Sequence, residues 1–491
     1  MSDLPPAQDL PRPPEPVRPP PTGTTGSRLA SLAVASALFM EFIDSTSLST
    51  ALPTLAKAFN ADPVHLKLAL TSYILALAVF VPVSGWAAER FGARRVFLAA
   101  MTVFLAGSVL NGFATSLPEL VVFRIIQGMG GAMMTPVARL IVVGSTPKEK
   151  LLTAMGWFTM PALVGPLIGP PLAGFVLSVA DWPWIFWLNV PVGLLGMIAV
   201  MRFVPHIRTP DPGRFDWSGF ALSAAAITGI VAVAETAGVG LIPWPLQIVL
   251  VVVALSCGWG YLRLAARKVR PILDLTLLRY PTFRASVLGG TFVRLGVGAG
   301  PFLMPLLLQV ALGWTPLQAG SVTLAGGLGV LGARPFAALV LKRVGFRVML
   351  ATFVVIAGVL TAAPGFFTSA TPPALIMLLL FLAGFSRASQ FISANTIAFA
   401  EIPTDKVPAA STLQAVSQQI GLALGISFGG LMLHFARGLG HGGDGAALTP
   451  ASFTLPYLAI GAVTLLAVPV YLALDPKAGA NISGHRRRED A

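Results

Sequence analysis

From Leu29 to Leu474 the chain is a succession of apolar runs, each about 20 residues long, joined by short polar connections. That length is what an α-helix needs to cross about 30 Å of hydrocarbon at about 1.5 Å rise per residue. The pattern therefore predicts an all-α polytopic membrane protein. Composition agrees: 55% of the 491 residues are apolar and only 11% are charged, against about 25% charged in an ordinary soluble domain. Fourteen runs are counted, at residues 29–53, 66–86, 96–115, 119–143, 153–177, 184–204, 217–238, 245–265, 285–311, 318–341, 348–367, 373–399, 410–434 and 452–474.

With the N-terminus inside, 26 of the 33 Lys and Arg fall on cytoplasmic segments or helix ends and three fall outside, Lys57, Lys67 and Arg437. The remaining four, Arg124, Arg294, Arg334 and Arg387, lie within spans. Translocation disfavours positive loops, so the split predicts that both termini are cytoplasmic. The net charge of +13 is spread between spans instead of gathered on one surface, which argues against a nucleic-acid partner. The single cysteine, Cys257, permits no intramolecular disulfide. Residues 1–28 are too proline-rich to pack and lack the apolar core of a signal peptide, which reads as a disordered cytoplasmic tail. Residues 475–491, with RRR at 486–488, read as a basic cytoplasmic tail.

The chain repeats itself. ERFGARRVFLA in the second connection and LKRVGFRVMLA in the tenth align Arg90, Gly92 and Arg94 with Arg343, Gly345 and Arg347 at a constant offset of 253. Six helices before and six after then form two related bundles, residues 29–204 and 284–474, with two inserted helices and their linkers at 205–283. Parallel repeats of this kind are a transporter signature, with the substrate route between the halves.

A charge near the bilayer centre costs on the order of 2.5–3.5 kcal/mol on insertion scales, so it is normally paired or faces water. Asp44 lies about 13 Å below the outer end of helix 1 and Arg124 about 9 Å below that of helix 4, depths at which the two can meet, as a structural ion pair, a titrating pair or both. Glu41 shares Asp44's face one turn nearer the midplane. No histidine lies mid-span, so proton chemistry falls to these acids. The alternative for Glu41 is a protonated, hydrogen-bonded core residue. Arg294 sits at the repeat position of Glu41, and Arg387 lies in GFSRASQFISANT beside Gln390, so the first helix of each three-helix unit carries a deep charge. Arg334 is placed to snorkel toward the cytoplasm, and Glu235 reads as interfacial at the outer end of helix 7, with a share in the proton route as the other option.

Helix 5 contains PALVGPLIGPPLAG, where Gly165 and Gly169 form a GxxxG pair beside Pro161, Pro166, Pro170 and Pro171. Helix 13 carries Gly421, Gly425 and Gly429 at spacings of four. Such faces let helices approach closely, as simple packing or as the seam on which bundles rock.

These stretches together resemble the major facilitator superfamily, in particular its fourteen-helix drug:proton antiporters of the EmrB/QacA type and their MdtD/HsrA-like branch, over residues 29–475. FIDSTSLSTALP is similar to the family's helix 1, which puts its proton-linked acid on Asp44. GWAAERFGARR resembles the loop motif that locks the bundles on the cytoplasmic side, with Gly85, Glu89, Arg90, Gly92 and Arg94 at its positions and Glu89 where Asp is usual. RIIQGMGGA is similar to the helix 4 motif, carrying a proton-transfer role to Arg124 with Gln127 and Gly128 beside it. VGPLIGPPLAG resembles the antiporter motif of helix 5, with Gly165, Pro166, Gly169 and Pro170 in place and Pro171 where a second glycine is common. DWPWIFWLNVPVG is similar to a segment of the fourteen-helix branch, although an aromatic belt alone reads the same way.

The resemblance implies proton-coupled export of small amphiphilic compounds by alternating access, driven by the proton gradient without a cofactor. It implies a bacterial cytoplasmic membrane, lipid, protons and small molecules as partners, and a monomer as the working unit. Asp44, Glu41 and Arg124 would couple protons, and Gln127, Arg294, Arg387 and Gln390 would line the substrate cavity. An uptake symporter of the same fold and a non-transporting sensor are the rivals. An enzyme is not expected, since no metal cluster, nucleophile triad or phosphate loop appears at useful spacing.

Overall fold

The computed structural model describes residues 24–146, 151–205, 213–237, 242–268, 271–439 and 447–480. The proline-rich tail and the RRR run lie outside the described residues. Six helices come first: α1 (Thr24–Ala58), α2 (Lys67–Phe91), α3 (Ala93–Gly112), α4 (Leu117–Ser145), α5 (Leu151–Val179) and α6, built of Trp184–Trp187 and Asn189–Phe203. The inserted pair is α7 (Trp217–Thr236) and α8 (Trp244–Ala265). Then come α9 (Pro281–Pro305, continued by a π-helical turn Leu306–Ala311), α10 and α11 (the two arms of Pro316–Ala362, which breaks at Gly345), α12 (Pro373–Ile397), α13 (Val407–Leu439) and α14 (Thr454–Leu465 with Ala467–Leu472). A helix stands at each of the fourteen expected spans among the described residues, with ends shifted by a few residues.

The repeat is visible in the backbone. Gly92 turns the chain from α2 into α3 at φ 91°, and Gly345, its repeat partner, turns α10 into α11 at φ 75°. Both sit where an L side chain is strained, which explains why glycine stands at this point of both copies.

Close approach of helices inside each bundle is made by the small residues. A Cβ on Gly165 would come within 2.5 Å of Phe42 Cβ on α1, and one on Gly169 would strike the Thr46 hydroxyl. On α13, Gly425 and Gly429 lie against Leu295 and Ala299 of α9. These two glycine faces therefore hold helices together within a bundle and are not the surfaces on which the bundles meet. The inter-bundle contacts are α2 on α13, α5 on α10, and α1 on α9. Gly174 abuts Pro316 and Leu317, Gly320 abuts Pro170 and Pro171, and Gly430 abuts Lys67.

Call the end that carries the α1–α2 connection the upper end. There one continuous apolar core joins both bundles, from Leu48, Leu52 and Leu55 through Leu303, Leu306 and Phe453. Toward the lower end the N-terminal bundle keeps its own core around Phe97, Phe104 and Ile141, and the C-terminal bundle keeps another around Phe346, Leu350 and Tyr471. The two halves are thus sealed at the top; below, each keeps a core of its own, and a further one joins α2 at Ala78 to the inserted helices at Ile227 and to the C-terminal bundle at Phe283, Ala398 and Val416.

Polar bonds reinforce the seal. Gln309 Nε2 donates to the Thr50 carbonyl at 2.8 Å, and Arg437 of α13 bonds Asp62 of the α1–α2 connection at 2.8 Å. Lys67, expected in an outer loop, is instead the buried first residue of α2, and Glu235, expected at the interface, is only 4% exposed. They form an ion pair at 3.2 Å, while Glu235 Oε1 accepts from Ser427 Oγ of α13 at 2.7 Å. The inserted helix α7 is so bound to both bundles at once. The sequence reading missed this because the partners lie 168 residues apart.

Two outcomes follow. Lys67→Met leaves Glu235 buried without a cation and should cost about 3–5 kcal/mol of stability, whereas Lys67→Met combined with Glu235→Met should recover most of it; unfolding of the purified chain in detergent measures both. Burial alone would push the Asp62 carboxyl up, but the Val64 N–H and the Arg437 guanidinium hold it below the ordinary carboxylate range. Its contribution is then complete above that range and is lost as pH falls through the lowered value. Melting temperature should drop on acidification below about pH 4 less steeply in Asp62→Asn than in the parent.

Candidate functional site

Asp44 is placed by α1 and is 1% exposed. Its Oδ2 accepts from Arg124 Nη1 of α4 at 2.7 Å, and its Oδ1 accepts from Gln127 Nε2 at 2.9 Å and Asn189 Nδ2 of α6 at 2.7 Å. Arg124 also bonds Gln127 Oε1 at 2.6 Å and the Ala69 carbonyl at 3.3 Å, and its guanidinium lies 4.2 Å over the Tyr73 ring of α2. On α3, Ser108 Oγ accepts from Asn189 at 2.9 Å and Asn111 donates to Gln127 Oε1 at 2.7 Å. Five helices of the first bundle meet in this one network, and every charge in it is compensated. The depths of Asp44 and Arg124 predicted the pair.

Gln127, expected on the cavity wall, is fully buried with its amide taken by Asp44, Arg124 and Asn111. Its part is to hold the pair in place. Asn189 was missed: it sits in DWPWIFWLNVPVG, where the aromatics drew the reading, and a lone polar residue in an apolar run was the signal available. Ser108 and Asn111, also fully buried, were missed for the same reason.

Glu41 is set apart from this network. It is 7% exposed, and its Oε2 accepts from Thr135 Oγ1 of α4 at 3.4 Å with no cation bonded to it among the described residues. The two acids share a face of α1 as expected, yet only one of them is held by a charge.

The second bundle differs. Arg294 is 6% exposed, lies 5.9 Å from the Phe391 ring centre, and its Nη1 has no hydrogen-bond partner. Gln390, expected to face the cavity, is buried and donates to Tyr471 Oη of α14 at 2.7 Å. Arg387 is half-buried on the face of α12 that also carries Ile376, Ala383 and Ala394, all packed inside. Asn395, on the next turns of α12, accepts from Gln414 and Gln418 of α13.

The motif at the α2–α3 corner lies at the lower end. Glu89 and Arg90 are exposed, Arg94 bonds the Met201 carbonyl at the end of α6, and Gly85 has open space around its backbone. In helix 5, Pro166 and Pro170 leave α5 unbroken, and Pro170 reaches α10. Among the described residues no group of His, Cys, Asp and Glu is arranged to hold a metal ion.

Two repeated helical bundles, sealed at one end around buried opposite charges, define a secondary transporter and not an enzyme. The sequence profile of the Major Facilitator Superfamily matches residues 34–265 and 286–490, and the chain belongs to that family. A multidrug resistance protein MdtD of Klebsiella pneumoniae subsp. pneumoniae is 36% identical over 463 residues, 92% of this chain and 96% of that one. The protein of the same name from Escherichia coli O6:K15:H31 is 33% identical over 467 residues, 93% and 97% of the two chains. A crystal structure of a peptide transporter POT in complex with sulfate shares the fold at a TM-score of 0.69 and 14% identity, covering 94% of this chain and 97% of the other.

Asn189→Leu removes a donor from Asp44 and from Ser108 and should destabilise the chain by about 1–2 kcal/mol, read as a lowered melting temperature in detergent.

Proposed function

We propose that the chain is a proton-coupled exporter of small amphiphilic compounds, working by alternating access in the bacterial cytoplasmic membrane with both termini in the cytoplasm. The observation that carries this reading is the buried Asp44–Arg124 pair, at 2.7 Å, inside a bundle whose upper end is closed. The upper end is then the outer one, and the state seen is closed to the outside.

Breaking a buried ion pair by removing one charge costs several kcal/mol, so Asp44 cannot exchange Arg124 for a proton without a change in its surroundings. Opening of the upper end supplies that change: it separates α2 from α13 and α5 from α10, admitting water and protons to the depth of Asp44. A proton on Asp44 releases Arg124, which then relies on the Ala69 carbonyl, Gln127 and the Tyr73 ring. Return to the closed state with the pair re-formed sends the proton toward the cytoplasm. Glu41, one turn nearer the midplane and held only by Thr135, serves as the relay on that path. The two states differ in whether Arg124 faces a carboxylate, and this difference is what a proton gradient can bias.

Proton coupling needs no cofactor, and one chain holds every group in the scheme. Sequence similarity to enteric bacterial proteins that bear the name multidrug resistance protein MdtD supports export as the direction.

Everted membrane vesicles carrying the chain should take up a fluorescent drug-like dye when a proton gradient is imposed. Asp44→Asn should reduce gradient-driven uptake by about tenfold or more, the factor expected for losing one charge-assisted interaction of about 1.5–3 kcal/mol, while dye exchange at equal pH persists. Undiminished coupling in Asp44→Asn overturns the role of Asp44. Dye movement with the protons instead of against them would identify an uptake symporter.

A further inference from the structure

Both cations buried in the upper seal and first bundle have a carboxylate partner: Lys67 has Glu235 at 3.2 Å and Arg124 has Asp44 at 2.7 Å. The second bundle breaks this rule. Arg294 and Arg387 have no carboxylate within bonding reach among the described residues, and none of the six spans of that bundle contains an Asp or Glu at all. The guanidinium keeps its charge at any pH a cell meets, so neither residue escapes the cost by giving up a proton. Neighbours do not compensate it either. Arg294 has an unbonded Nη1, with Phe391 and the Tyr471 hydroxyl as neighbours, and Arg387 makes no hydrogen bond among the described residues, with the Tyr457 hydroxyl as its neighbour; neither phenol carries the charge that would offset a guanidinium.

The positions of the two are ordered along α9. Arg294 Nη1 lies over Gly290, while Arg387 Nη1 lies 4.0 Å from where a Cβ of Gly300 would be. Ten residues of helix separate these levels, about 15 Å. Gly290 and Gly300 leave the α9 backbone bare at both levels; the Arg294 guanidinium fills the place a side chain on Gly290 would take, and that of Arg387 approaches the place of one on Gly300. Arg387 is half-buried on a face of α12 whose other members, Ile376, Ala383 and Ala394, are packed inside.

We propose that the second bundle is an anion path: the transported compound is an amphiphile carrying one negative charge, received at Arg294 and carried to Arg387 as it moves inward from the lower end. This rests on the export reading above and names its substrate class. A planar guanidinium pairs with a carboxylate, sulfonate or phosphate ester through two parallel N–H donors, and an aromatic body suits Phe391 beside Arg294. The protons run on the acids of the first bundle and the substrate on the bases of the second, so competition between them acts through the rocking of the bundles and not at one shared group.

The test uses the full chain in proteoliposomes with an imposed proton gradient and two permanently charged probes with the same ring system, 1-naphthalenesulfonate and (1-naphthylmethyl)trimethylammonium. The parent should transport the sulfonate in preference to the ammonium. Arg387→Gln should lower sulfonate kcat/KM by about tenfold or more, as for loss of a charge-assisted pair, and Arg387→Lys should recover part of that loss by restoring the charge. Binding of the sulfonate to the detergent-solubilised protein, followed by its fluorescence, reads the same effect where a variant transports poorly. Gradient-driven transport of the ammonium with none of the sulfonate overturns the anion path and leaves the export reading standing. An equal loss for both probes in Arg387→Gln, with no recovery in Arg387→Lys, also overturns it by assigning Arg387 a structural part. Gradient-driven movement of neither probe, together with none of the dye, overturns both readings.

Discussion

A charge that enters hydrocarbon must be matched inside the protein, and the first bundle is organised by how it meets that demand at Asp44. The carboxylate takes one guanidinium and two amide donors, and each of those groups is fastened to a further helix. In water an ion pair of this kind contributes little, because both partners are well solvated alone. In a buried site the alternative for either partner is an unpaired charge, so the pair dictates where α1, α4 and α6 must lie relative to one another. Apolar packing fills the remaining volume but has no comparable power to choose one arrangement.

Rigid bundles are the second requirement for a switch, and glycine provides them. At Gly165, Gly169, Gly425 and Gly429 the neighbouring helix comes so near that a methyl group would overlap it. Helices in such contact share a large area of van der Waals attraction, which is the main cohesive force between helices in lipid. The surfaces between the bundles are of another kind: an apolar side-chain core shared at the upper end, with prolines, isolated glycines and a few polar bonds beside it. Strong cohesion within each bundle and weaker contact between them is what lets two bodies move against each other without unfolding. The inserted helix α7 complicates this division, since Glu235 bonds Lys67 of one bundle and Ser427 of the other. It acts as a strap across the closed upper end.

Much of this was legible in the residues. Spans are legible because the length of an apolar run is dictated by membrane thickness and is independent of what the helix touches. The repeat was legible because Gly92 and Gly345 answer a local backbone demand that recurs in each copy. Asp44 and Arg124 were legible from depth alone, since two opposite charges at similar heights in adjacent apolar runs have few other places to go. Lys67 and Glu235 were not, for each is near a helix end, where a charge is ordinarily wet, and only the fold reveals that α7 covers them. Gln127 and Gln390 lie on the expected helices but are buried with their amides bonded to neighbouring side chains, because an amide at helical spacing from a charge can face either a cavity or that charge. Helix rotation decides between these, and sequence spacing resolves it poorly over a single turn.

The repeat also sharpens the meaning of the charges that remain. Glu41 and Arg294 occupy the same position in the two copies, and they have opposite sign. Had the copies kept one chemistry, both bundles would bind the same kind of ion, and coupling would rest on competition for one kind of group. On the proposed reading, the acids of one bundle take the protons and the guanidiniums of the other take the anion. The two cargoes then need not meet to be coupled. Each only has to bind one orientation of the bundles better than the other, and the shared seam converts those two preferences into a single equilibrium.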